Sequence, residues 1–144
     1  MKSIIVLNGP NLNLLGNREP QIYGADTLSD IEKLCMKKAL DLNIQVSFFQ
    51  SNIEGELVNE IQKSKNKQDG IILNAGAYTH TSIAIMDALI AVQVPTIEVH
   101  ISNIYHRESF RHVSYISKAT MGQICGFGIY GYSMALDAII QNNL

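Results

Sequence analysis

Four stretches of this chain carry side chains suited to chemistry rather than packing. In EVHIS (98–102), Glu98, His100 and Ser102 recur at every second position. Residues two apart in a strand share a face, so a carboxylate, an imidazole and a hydroxyl point the same way. A carboxylate beside an imidazole fixes its orientation and favours its protonated form. A purely structural Glu–His pair fits the same spacing; its place at a strand end shifts the reading toward general acid or base work. GNREPQIYG (16–24) holds Arg18 and Tyr23 in a segment punctuated by Gly16, Pro20 and Gly24, with no packing pattern. YHRESFRH (105–112) sets Arg107 and Arg111 at helical spacing around Glu108. Such a run is ordinarily a solvated charged face; coming just after His100, it also suits an anion or a hydroxyl. NAGAYTHTS (74–82) has small residues around Gly76 and a helix start near Thr79. Thr79 or Thr81 would cap that helix, and its exposed amides and hydroxyls would hold a polar ligand.

Other chemistries find less support. His100, His106 and His112 stand six apart, a spacing that fits neither a helix face nor the short intervals of metal ligands. There is no H-E-x-x-H, and no G-x-S-x-G elbow for a serine triad. GFGIYG (126–131) matches G-x-G-x-x-G, but only 13 residues follow Gly131, too few for the next strand and its acidic residue. It reads as a tight strand-to-helix turn. Cys35 and Cys125 lie far apart and read as reduced packing residues. Asp87 interrupts the apolar run SIAIMDALIA, at a helix's exposed edge or at a subunit contact.

These groups need a scaffold, and the apolar runs supply one. SIIVLN (3–8), IQVSFFQS (44–51), GIILNA (70–75), PTIEVHIS (95–102) and GQICGFG (122–128) are short and rich in Ile and Val, as parallel strands covered on both faces are. Helical patterns fall between most of them. TLSDIEKLCMKKALDL (27–42) places Leu28, Ile31, Leu34, Cys35 and Leu42 on one stripe, with Thr27 as N-cap and Asp30 three residues on. EGELVNEIQKSK (54–65) repeats the pattern with Leu57, Val58 and Ile61, HTSIAIMDALIAV (80–92) reads as a more apolar and more deeply buried helix, and YSMALDAIIQNN (132–143) is the last helical pattern. The stretch 103–120 is the least regular. Alternating β and α units predict an open, doubly wound α/β sheet of five parallel strands in a single domain, 1–144.

Ligands of such folds bind at the carboxyl ends of the strands. Four of those ends run into polar residues: Asn8, Asn11 and Asn13; Ser51 and Asn52; Asn74, Tyr78, Thr79 and His80; His100, Ser102 and Asn103. A net charge of −2 leaves no basic surplus for nucleic acid. No run is long enough to span a membrane. Asn8, Pro10, Asn11 and Asn13 break the first apolar run too soon for a signal peptide. It reads as the first strand of a cytoplasmic protein. Low charge (17%) beside 47% hydrophobic residues points to surface buried in an oligomer.

Taken together, LNGPNLNLLGNREPQIYG, NAGAYTHTS, EVHISNIYHRESFRH and GFGIYGY closely resemble the type II 3-dehydroquinate dehydratases of the shikimate pathway. Ala75 stands where many members carry proline. The resemblance implies a flavodoxin-like fold assembled as a homododecamer of trimers, with no metal and no organic cofactor. It implies reversible anti elimination of water from 3-dehydroquinate to 3-dehydroshikimate through an enolate. By position, Tyr23 resembles the base that takes the C2 proton, Arg18 its activator, and His100 the acid for the departing C1 hydroxyl. Asn11 would help hold a water near the enolate oxygen, and Glu98 would orient His100. Asn74, His80 and Arg111 match ligands of the ring hydroxyls; the Ile101 and Ser102 amides, with the Ser102 hydroxyl, match the carboxylate site. Asp87 is expected to reach a neighbouring subunit's site, and segment 16–24 to act as a lid.

A free phenol, with a pKa near 10, is a poor base at neutral pH. One cation at about 4 Å contributes roughly 4 kcal/mol at an effective dielectric near 20, enough to lower a phenol by up to about three units, with desolvation opposing. The alternative reading is a flavodoxin-like module binding a phosphate or nucleotide through GFGIYG or NGPNLN.

Overall fold

All five apolar runs become parallel strands in the computed structural model, which describes residues 1–143. They are β1 (Ser3–Asn8), β2 (Gln45–Gln50), β3 (Gly70–Asn74), β4 (Thr96–His100) and β5 (Gly122–Cys125). Their order across the sheet is β2-β1-β3-β4-β5. The chain therefore steps one way from β1 to β2 and then the other way to β3, and the crevice beside β1 and β3 is the switch point where such folds bind ligands. β1, β3 and β4 are buried almost throughout, whereas the residues of the edge strand β2 are half-buried or exposed.

The connecting helices are α1 (Pro20–Tyr23), α2 (Leu28–Leu42), α3 (Glu54–Ser64), α4 (Ile83–Val92) and α5 (Tyr130–Asn143). On one face of the sheet Ile4, Val6, Ile72, Ile97 and Val99 pack with Ile31 and Cys35 of α2 and Leu136 and Ile139 of α5. On the other, Ile5, Leu7, Ile71 and Leu73 pack with Leu57 and Ile61 of α3 and Ile85 and Leu89 of α4. Each buried aliphatic side chain contributes about 1.5–3 kcal/mol, and the alternation along β1 and β3 holds their register. Thr27 caps α2 as expected: the Asp30 amide donates to its hydroxyl at 3.2 Å, and its own amide donates to the Asp30 carboxylate at 2.9 Å.

Three expectations change. α4 begins at Ile83, not near Thr79, because Gly76–His80 winds as a 3-10 turn. Its cap is Ser82, whose hydroxyl accepts from the Ile85 amide at 2.9 Å, so neither Thr79 nor Thr81 caps it. Nor is α4 the deeply buried helix its composition predicts: Ile83 and Ile90 stand 52% and 54% exposed on its outer face. Finally, Arg107 and Arg111 do not share a helix. They belong to separate short turns, Ile104–His106 with Arg107 closing it and Ser109–Arg111.

GFGIYG is a tight turn from β5 into α5. Gly126 has φ +91°, and a side chain there would press within 3.0 Å of Asn103. The Gly126 amide donates to the His100 carbonyl at 3.2 Å and that of Gly128 to Ile101 at 3.1 Å. These amides brace the end of β4 rather than cradle a phosphate, which removes the main support for the nucleotide reading. Among the described residues no helix is long and apolar enough to cross a membrane.

Candidate active site

The loops that follow β1 and β3 meet closely. The Gly9 amide donates to the Asn74 carbonyl at 2.7 Å. A Cβ on Gly9 would lie 2.4 Å from the Ala75 carbonyl oxygen, so a side chain there would force the two loops apart. This approach brings Asn11 and Asn74 into one pocket. Asn11 has φ 70°, a left-handed conformation that asparagine tolerates, and its amide donates to the Asn52 side chain at 2.9 Å. The end of β2 thus supports the pocket from behind.

From β4 comes the imidazole. Glu98 is fully buried and its carboxylate contacts His100 Nε2. It also accepts from the Ser114 hydroxyl, at 3.0 Å and 3.1 Å to its two oxygens, and from Gln123 Nε2 at 2.8 Å. A buried carboxylate is costly unless its lone pairs are met, and these donors meet them. With Nε2 held by Glu98, Nδ1 is the ring nitrogen left for the pocket. His80 lies 6.4 Å from His100, the rings within 18° of parallel. Its Nδ1 donates to the Val113 carbonyl at 2.8 Å. Burial, with His100 and Arg111 adding to it, pushes the His80 pKa below its ordinary 6.5. His80 is therefore neutral at pH 7, with Nε2 free to accept.

Tyr23 ends α1, a single turn that opens on Pro20. Its oxygen accepts from Arg107 Nη1 at 2.8 Å. The guanidinium carbon of Arg18 sits 4.7 Å from the centre of the same ring, and that of Arg107 5.2 Å. Two cations thus flank one phenol. The backbone bonds of this segment are local, from Asn17 to Leu14, from Ile22 and Tyr23 to Glu19, and from Gly24 to Pro20. Gly16 and Gly24, at φ 93° and 80°, bound it.

Asn11, Arg18, Tyr23, Asn74, His80, His100, Ile101, Ser102 and Arg111 line this one pocket. Glu98 lies behind His100. Asp87 is exposed on α4 and outside the pocket. Sequence spacing did not mark Arg107 as the partner of Tyr23, nor Ser114 and Gln123 as partners of Glu98. A larger groove follows the β2 edge past Met36, Leu40 and Lys63, and contains none of these groups. Among the described residues no cluster of three or more His, Cys, Asp or Glu is placed to hold a metal ion.

A family model described as dehydroquinase class II matches residues 2–140. The chain belongs to the class II dehydroquinase family. A relative from Endomicrobium trichonymphae, named 3-dehydroquinate dehydratase, is 59% identical over 141 residues, covering 98% of this chain and 99% of the relative. Another of that name, from Dinoroseobacter shibae, is 57% identical over 136 residues, covering 94% and 91%. The crystal structure of a type II dehydroquinase from Butyrivibrio crossotus superposes with a TM-score of 0.94 at 45% identity, over 96% of this chain and 97% of that one. The class II dehydroquinase fold of this chain is the flavodoxin-like open sheet that the sequence resemblance implies.

Proposed function

We propose that this protein is a type II 3-dehydroquinate dehydratase of the shikimate pathway, catalysing the reversible conversion of 3-dehydroquinate to 3-dehydroshikimate and water. The observation that carries the reading is the Arg107-to-Tyr23 hydrogen bond in the same pocket as the Glu98-backed His100. One group is thereby equipped as a base and the other as an acid.

The Tyr23 phenolate, offset by Arg18 and Arg107, takes the C2 proton. The C2–H electron pair passes into the adjacent ketone as an enolate, beside which Asn11 holds a water. The enolate then collapses, the C1–O bond breaks, and His100 Nδ1 gives its proton to the departing hydroxyl, which leaves as water. Asn74, neutral His80 and Arg111 hold the ring hydroxyls, and the Ile101 and Ser102 amides with the Ser102 hydroxyl hold the carboxylate. Segment 16–24 closes as a lid, bringing Tyr23 and Arg18 to the substrate and excluding water. The reaction needs no metal and no organic cofactor.

Residues 1–144 act as one domain, in the cytoplasm, within a homododecamer built from trimers. Ile83, Asp87 and Ile90 recur along the exposed side of α4, and an apolar stripe interrupted by one acid suits a subunit contact from which Asp87 reaches the next pocket. The test is stereochemical. Hydration of 3-dehydroshikimate in deuterium oxide should place deuterium at C2 anti to the new hydroxyl, read by proton NMR. Syn addition would overturn the reading.

A further inference from the structure

Behind the pocket lies a buried chain of hydrogen bonds that the proposed chemistry leaves unused. Asn8 and Asn74 are paired neighbours at the ends of β1 and β3, and both are almost wholly buried. Between them stands the phenol of Tyr132, in the first turn of α5 and fully buried. Asn74 Nδ2 donates to the Tyr132 oxygen at 2.9 Å, and that oxygen donates to Asn8 Oδ1 at 2.6 Å. At the other end the Gly76 amide donates to Asn74 Oδ1 at 3.1 Å.

The direction of this chain is determined. A backbone N–H can only donate, so the atom facing Gly76 must be the Asn74 oxygen. Its amide nitrogen then faces Tyr132, and the single phenol proton is left for Asn8. Burial pushes the Tyr132 pKa upward, so the phenol keeps that proton at any physiological pH. A carboxamide alone has a broad, nearly two-fold torsion. Held at both ends, Asn74 keeps one N–H and one lone pair for the pocket it lines.

We infer that Tyr132 is a positioning residue for substrate binding, setting through one hydrogen bond which polar atoms Asn74 offers to a ring hydroxyl. The inference rests on the dehydratase reading, in which Asn74 binds substrate. Tyr132→Phe keeps the ring and removes only the oxygen. It should raise KM about tenfold while kcat stays within about threefold, since one buried partner of a binding group is lost.

A structural role alone would also lower stability, so the decisive readout is a double-mutant cycle. In an Asn74→Ala background, Tyr132→Phe should change KM by less than about twofold, because its target is gone. The core variant Ile139→Val, on the same helix, should leave KM unchanged. Equal KM effects of Tyr132→Phe in both backgrounds, or no effect in the wild type, would overturn the inference. If the wild-type protein does not turn over 3-dehydroquinate, the functional reading falls, and positioning is read instead from the Asn74 side-chain amide protons by NMR. Their protection from solvent exchange should be lost in Tyr132→Phe, and unchanged protection would overturn the inference by itself.

Discussion

Arg107→Met retains much of the arginine's bulk and removes its charge. The guanidinium nitrogen lies 2.8 Å from the Tyr23 oxygen. At that distance unit charges interact by about 6 kcal/mol at an effective dielectric near 20 and about 1.5 kcal/mol in water. The Arg107 side chain is 13% exposed, so screening is partial and the value falls between these limits. Hydrogen bonds to charged groups contribute about 1.5–3 kcal/mol net. We take about 2–3 kcal/mol as the stabilisation of a Tyr23 phenolate lost on substitution, which is about 30- to 150-fold in kcat. The assay is product formation at saturating 3-dehydroquinate, with circular dichroism to check that the variant is folded. Arg107→Lys, which keeps the charge, should recover part of the loss. A folded Arg107→Met variant with kcat within about twofold of wild type would refute the reasoning.

Other perturbations follow from the same geometry. Glu98→Ala should destabilise the fold by about 3–5 kcal/mol, as breaking a buried pair does, and lower kcat at least about tenfold; a urea midpoint like that of wild type would contradict it. Burial raises the Cys35 thiol to about 12, and thiolate is the reactive form; a thiol reagent should therefore label the partly exposed Cys125 first and Cys35 only on unfolding, and equal labelling rates would count against this. His80 should titrate by NMR below 6.5. Because the unfolded imidazole takes up its proton more readily, the stability His80 contributes is complete above pH 6.5 and lost as pH falls below it; a midpoint at or above 6.5 would contradict the assignment.

Local patterning carried much of this structure. SIIVLN is β1 residue for residue, since a strand buried on both faces leaves its mark in composition alone. Thr27 and Asp30 announced the α2 capping box because the interaction spans only three residues. The i, i+2 spacing of Glu98 and His100 was enough to place them in contact. Gln123 was within reach too, as it pairs with Glu98 in the β4–β5 register. What stayed hidden depends on irregular backbone. The Arg107–Tyr23 bond joins residues 84 apart through two short turns without periodicity, and Ser114 reaches Glu98 from a stretch of the same kind. The start of α4 differs from the sequence expectation because Thr79 and Thr81 are capping residue types, while the left-handed Gly76 and the 3-10 turn delay the helix until Ile83, capped by Ser82.

The central claim is that Tyr23 removes a proton from 3-dehydroquinate across a pocket from His100. Its most direct measurement is the rate of 3-dehydroshikimate formation, followed by mass spectrometry, for the wild type and for Tyr23→Phe, which keeps the ring and removes the basic oxygen. Wild-type protein should convert the substrate, and a folded Tyr23→Phe variant should lose at least about a hundredfold in kcat, the lower end of what a general base supplies. Turnover by Tyr23→Phe at the wild-type rate, or none by the wild type, would contradict the account.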